Sequence, residues 1–108
     1  MDPESAVVKL CVLGIEAEAA GRRDEAAARF REAWDARSND LEACIAAHYV
    51  ARHQPSADET LRWNAVALEL ATRCDHDAVR TFYPSLYLNL AHSHEMQGDP
   101  ASAAVFYR

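Results

Sequence analysis

The chain has 108 residues, 50% of them hydrophobic and 26% charged, with a formal net charge of -6 at neutral pH, a size and composition that suit one domain with one core. A single lysine and ten arginines interleaved with acids, as at Arg29, Arg31 and Glu32, exclude a dedicated nucleic-acid surface, which needs clustered positive charge. No apolar run approaches the roughly 18 to 20 residues of a membrane span, and the Met-Asp-Pro-Glu start lacks the basic residues of a signal peptide, so a cytoplasmic chain away from the membrane is expected.

Only three glycines and four prolines interrupt stretches rich in Ala, Leu, Glu and Arg, which predicts an all-α fold. From Ser5 to Ala20 the residues Val7, Leu10, Leu13, Gly14 and Ala17 recur at helical spacing, and Gly21 breaks the run. Asp24 or a near neighbour is expected to cap a second helix, whose apolar stripe is Ala26, Ala27, Phe30, Ala33 and Trp34. A third helix is read from Asp40 to His53, followed by a turn at His53-Gln54-Pro55-Ser56. Ser56, with Glu59 three residues on, caps a fourth helix carrying Leu61, Val66, Ala67, Leu68 and Leu70. Beyond it the reading divides. Either Asp77 starts a long helix kinked at Pro84, the version taken forward, or Pro84 lies in the first turn of a separate helix. Gly98 ends that helix, and Asp99 with Pro100 starts another.

A step of 34 residues carries Leu10 to Cys44, Leu13 to Ala47, Gly21 to Pro55 and Ala33 to Ala67. The third unit is displaced by 43 residues instead, because the segment from Asp75 to Pro84 is inserted. Cys11, Cys44 and Cys74 have neither zinc-site nor disulfide-framework spacing and read as small buried hydrophobes. Cys11 and Cys44 can approach each other on neighbouring helices, but a functional thiol pair is not the favoured reading.

Residues 7–40 resemble one tetratricopeptide repeat, whose pattern runs Trp-x2-Leu-Gly-x2-Tyr, then Ala, an aromatic, Ala and Pro. Leu13 and Gly14 match; Leu10 stands for the Trp, Ala17 for the Tyr, and Ala26, Phe30 and Ala33 match the later positions, with Ser38 replacing the Pro. The second unit, about 41–74 with an extension at 75–83, has His48 for the Gly, Thr60 for the Ala and Asn64 in the aromatic position, with the adjacent Trp63 to fill that space. The partial third unit, about 84–108, has Tyr87, Leu90, Ala91, Gly98, Ala103 and Tyr107 in family positions. The resemblance implies a single domain: a right-handed superhelix of two and a half to three stacked helical hairpins with a concave ligand face.

In this family the first helix of each hairpin lines that face, so the resemblance implies a peptide-binding groove made by Ile15 and Glu18, then Ile45, Tyr49 and Arg52, then Leu88, His92 and Glu95, flanked by His53 and Asn89. Replacing Tyr49 and Arg52 together by Ala is accordingly expected to remove partner capture and leave melting unchanged. The family's Lys and Asn clamp for a terminal carboxylate has Cys11, Ile15, Ala46, Ser85 and Asn89 at its positions, and only Asn89 suits it, so an acidic C-terminal tail is not the expected ligand.

Catalysis is not expected. His92 and His94 are two residues apart and so lie on nearly opposite sides of a helix, unlike a zinc pair four apart, and no Gly-rich phosphate loop or dinucleotide fingerprint is present. No cofactor and no metal are predicted. The partner is a protein or peptide, neither nucleic acid nor membrane. The alternative is a self-association or regulatory module of a longer protein, pairing through terminal helices such as the one bearing Phe106 and Tyr107.

Overall fold

The computed structural model describes residues 4–74, 83–96, 98, 99 and 101, and every regular element among them is a helix. Helix α1 spans Ala6–Ala19, α2 Arg23–Asp35, α3 Asp40–Val50, α4 Ala57–Arg73 and α5 Tyr83–Met96.

Each boundary has a local cause. Ser5 caps α1 by accepting from the Val8 amide at 3.4 Å. At the other end Gly21 takes φ 79°, and the Gly21 and Arg22 amides return to the carbonyls of Glu18 and Ala17 at 3.0 and 2.8 Å. This paired closure needs a left-handed residue, which glycine adopts without strain. Asp24 does not cap α2: the closure leads straight into Arg22 at the cap position, which makes no side-chain cap bond, and Asp24 and Glu25 fall in the first turn facing the positive end of the helix dipole. Asn39 caps α3 through the Glu42 amide at 2.8 Å. Glu42 in turn accepts from the Ser38 amide and hydroxyl at 2.9 and 2.6 Å.

Helix α3 stops at Val50, three residues before the expected end. The Arg52 and His53 amides tighten onto Tyr49 and Val50, and the Gln54 amide group donates to the Val50 carbonyl at 2.8 Å, which satisfies the last turn ahead of Pro55. Ser56 caps α4 by accepting from the Glu59 amide at 3.2 Å, as the sequence predicts. Pro84 is the second described residue of α5. The segment from Asp77 to Phe82, on which the choice between a kinked and a fresh helix turns, lies outside the described residues. Gly98, at φ 75°, repeats the closure of Gly21: its amide donates to Glu95 and that of Asp99 to His94, both at 2.9 Å. The expected helix bearing Phe106 and Tyr107 is outside the described residues apart from Ala101.

Helices α1 and α2 pack as one hairpin and α3 and α4 as another, with α2 and α1 also against α3, and α5 against α4. Bonds between α1 and α3 fix their relative direction. Ser5, at the start of α1, donates to Glu42 at the start of α3 at 2.6 Å, while Glu18, near the end of α1, pairs with Arg52 and His53 just past the end of α3. The two helices therefore run parallel, side by side. α3 is the shared wall of the core: Ile45, Ala46 and Val50 join the α1–α2 cluster around Phe30, and Ala43, Cys44 and Ala47 join a cluster with Ala67, Leu70, Ala71 and Leu86. A helix covered on so many sides must be apolar nearly all round, which its sequence satisfies.

Five pairs one 34-residue step apart share their burial, namely Cys11 with Ile45, Gly14 with His48, Ala17 with Ala51, Phe30 with Asn64, and Ala33 with Ala67, whereas Lys9, Val12, Leu13 and Glu16 are exposed and their counterparts buried. Asn64 itself occupies the buried aromatic position. Trp63 does not fill it but meets Trp34 edge-on at 5.0 Å, bridging α2 and α4. The three cysteines are free. Cys11 and Cys44 sit in different clusters, and burial pushes their thiols up to about 12 and about 11, the latter helped by Cys74. Both stay protonated and unreactive at neutral pH.

Gly14 is buried against the face of Phe30, and a Cβ there would sit inside the ring's van der Waals envelope. Gly14→Ala gains about 1 kcal/mol of helix propensity but forces an overpacking cost of about 1–3 kcal/mol. A net fall in melting temperature is expected on thermal unfolding followed by circular dichroism, with part of the loss recovered when Phe30→Leu is added.

Candidate binding site

Glu18 organises one end of the site. Its side chain is 16% exposed; one carboxylate oxygen accepts from His53 Nε2 at 2.6 Å and the other pairs with Arg52 at 3.1 Å. Arg52 remains 47% exposed, so this ion pair contributes at most about 1 kcal/mol, while the short, sheltered bond to His53 is the stronger tie. The His53 ring is placed by stacking on Phe30, centroids 5.9 Å apart. Tyr49 stacks on the same phenyl ring at 5.2 Å and receives Arg52 over its own face at 5.7 Å.

A polar cluster joins α3, α4 and α5. Asn89 Nδ2 donates to His48 Nδ1 at 3.2 Å; because Nδ1 accepts, His48 is neutral with its proton on Nε2. Burial, and secondarily the nearby Arg52 charge, hold the His48 pKa below its ordinary value. Asn64 donates to Ser93 Oγ at 2.8 Å and to the Asn89 carbonyl at 3.4 Å, and Ser93 donates to that carbonyl at 2.8 Å. Asn64 and Ser93 are 3% and 1% exposed, and Asn64 Oδ1 has no hydrogen-bond partner among the described residues.

Beside this cluster opens a hollow of about 460 Å³ whose lining includes Glu18, Arg52, Thr60, Asn64, Asn89, His92 and Met96. A second, of about 570 Å³, is lined by Ile15, Glu18, Gly21, Arg23, Arg52 and His53 among others. Glu18 and Arg52 border both. A larger hollow, about 630 Å³, lies between the α2–α3 loop and the end of α4, lined by Trp34, Arg37, Asp40 and Arg73 among others, and contains none of the sequence-predicted groove residues.

The structure thus brings Glu18, Arg52, Asn89 and His92 to one hollow, and Ile15, Glu18, Arg52 and His53 to the other. Leu88, 56% exposed, and the exposed Glu95 line neither. Ile45 is a correction: it is 2% exposed and packed with Phe30 and Val50, because α3 is covered from both hairpins. Tyr49 lines neither hollow, and its half-buried ring stacks on Phe30. Replacing Tyr49 and Arg52 by Ala therefore lowers melting as well, and does not isolate binding. Thr60, Asn64, Ser93 and Met96 escaped the sequence reading, which considered selected positions on the first helix of each hairpin; Thr60 and Asn64 come from α4. The polar Asn64 at an expected aromatic position was the available signal. Among the described residues no three His, Cys, Asp or Glu side chains converge to hold a metal ion, and no helix is long and apolar enough to cross a membrane.

Compared with protein-family models, with curated proteins and with solved structures, the chain matches none. The class that the structure itself defines is an all-helical chain of packed helical hairpins.

The depressed His48 pKa sets a pH dependence. The unfolded chain takes up a proton near the ordinary value of 6.5, before the folded one does, so the contribution of neutral His48 is complete above that pH and declines as pH falls through and below it. His48→Gln, which keeps an acceptor for Asn89, lacks this decline. The stability difference between wild type and variant in urea titrations is expected to narrow between neutral and mildly acidic pH.

Proposed function

We infer that this chain is a non-catalytic protein-interaction module of the tetratricopeptide type, a right-handed stack of two and a half to three hairpins that binds an extended peptide segment of a partner protein along α1, α3 and α5. The observation that carries this reading is the 460 Å³ hollow, where Glu18 of α1, Arg52 just past α3, and Asn89 and His92 of α5 meet. Glu18 and Arg52 stand one 34-residue step apart, and Asn89 and His92 belong to the third unit, which is displaced by 43 residues. The parallel course of α1 and α3, the matched burial of five pairs one step apart and the paired glycine closures at Gly21 and Gly98 support the repeat reading.

The chemistry of the hollow favours a peptide. Hydroxyl, amide and imidazole groups from Thr60, Asn89 and His92 offer donors and acceptors to a main chain, and Met96, 58% exposed, supplies an adaptable apolar contact. Acid–base or metal catalysis has less support, since His92 is exposed and His94 lies half-buried near Asp99 at 3.9 Å.

Random-peptide display against the folded chain tests the reading. Selected peptides are expected to lose at least about tenfold in affinity, about 1.4 kcal/mol, for the double variant His92→Ala with Met96→Ala. Melting should be unchanged, because both side chains are exposed. Failure to enrich any sequence, or equal binding to wild type and variant, rejects the groove.

A further inference from the structure

One face of α1 is exposed among the described residues and lines none of the hollows described above. Lys9, Val12, Leu13 and Glu16 are all exposed, Val12 by 47% and Leu13 by 46%, and at about 100° per residue they fall within an arc of about 100° on one side of the helix. Their counterparts one step on in α3, namely Ala43, Ala46, Ala47 and Val50, are 5%, 0%, 0% and 3% exposed. The same helical face is therefore a packing surface in α3 and an open one in α1. Along the axis of α1 two large aliphatic side chains sit in the middle of this face, with a cation one turn before them and an anion one turn after.

We propose that this face pairs with the same face of a second copy, antiparallel, about a two-fold axis between residues 12 and 13. That operation sets Lys9 of each copy against Glu16 of the other, with Val12 and Leu13 of both copies packed around the axis. The exposed Ala6 and Ala20, with Ala19 at the border of the 570 Å³ hollow, fall at the two ends, where small side chains let the backbones approach. A parallel pairing is disfavoured because it sets Lys9 against Lys9 and Glu16 against Glu16. The four residues Lys9, Val12, Leu13 and Glu16 carry one charge of each sign in a chain of net charge -6, so they meet their two-fold copies with opposite charges facing. Lys9 forms an ion pair with Glu4 at 3.3 Å, but both side chains are mostly exposed, 59% and 83%. Such a pair is weak enough for Lys9 to exchange it. A patch centred on four side chains makes a weak, concentration-dependent pairing, so it is sought up to the highest protein concentrations reached.

Sedimentation of the full chain up to those concentrations tests the pairing. Wild type is expected to shift from monomer to dimer, while Lys9→Glu and Glu16→Lys, each carrying like charges into both cross-pairs, associate at least about tenfold more weakly. An equimolar mixture of the two variants restores association, because both cross-pairs become opposite in sign again, and the double variant in one chain does the same. Circular dichroism should show every variant folded, since both positions are exposed. A wild type that stays monomeric throughout, single variants that associate like wild type, or a mixture that stays monomeric would each overturn the proposal.

Discussion

Phe30 can lie flat across α1 only because residue 14 has no side chain. Much of the site follows from that contact. The phenyl ring is fully buried, a gain of about 1.5–3 kcal/mol, and it gives Tyr49 and His53 a common surface on which to stack. His53, so held, presents Nε2 to Glu18, and Tyr49 presents its face to Arg52. A methyl group at residue 14 would displace the ring and loosen the whole α1–α3 junction.

The second hairpin solves the same packing problem with other chemistry. One step on from Gly14 and Phe30 stand His48 and Asn64, so the small residue of the first helix has become large and the large residue of the second has become small. Both are polar and both are buried. The cluster they form with Asn89 and Ser93 recruits α5 through directed hydrogen bonds in addition to area, which favours one register of α5 over its neighbours. The cost is also visible: Asn64 Oδ1 is buried without a hydrogen-bond partner among the described residues, a desolvation penalty of about 1–3 kcal/mol.

Local signals in the sequence carried the helix boundaries that depend on one or two residues. Gly21 and Gly98 marked stops because a left-handed residue closes a helix, and Ser56 marked a start because its hydroxyl accepts from an amide three residues on. The 34-residue spacing likewise brought Glu18 and Arg52 to one place before any coordinates. The start of α2 is set from outside the helix, by the Gly21 closure that leads into Arg22, a near neighbour of Asp24. Contacts such as Ser5 with Glu42 or Asn64 with Ser93 span 37 and 29 residues, and no local pattern announces them. Ile45 shows the same limit on burial: helical spacing assigns a residue to a side of α3 but not the number of helices that cover that side.

Several groove residues thus serve two roles at once. Glu18, Arg52 and Asn89 border the hollows and also tie one helix to the next. An acidic group of a ligand that drew Arg52 away from Glu18 would leave Glu18 with His53 alone, so recognition at Arg52 draws on the same charge that secures α1 to α3. His92 and Met96 are different: they are exposed and take no part in the ties between helices described above. Under the proposed peptide-binding function, the side chains placed to discriminate between ligands without disturbing the fold are those of α5. The Glu18–Arg52 side of the surface, where His53 is fixed by Phe30, is the rigid wall against which they act.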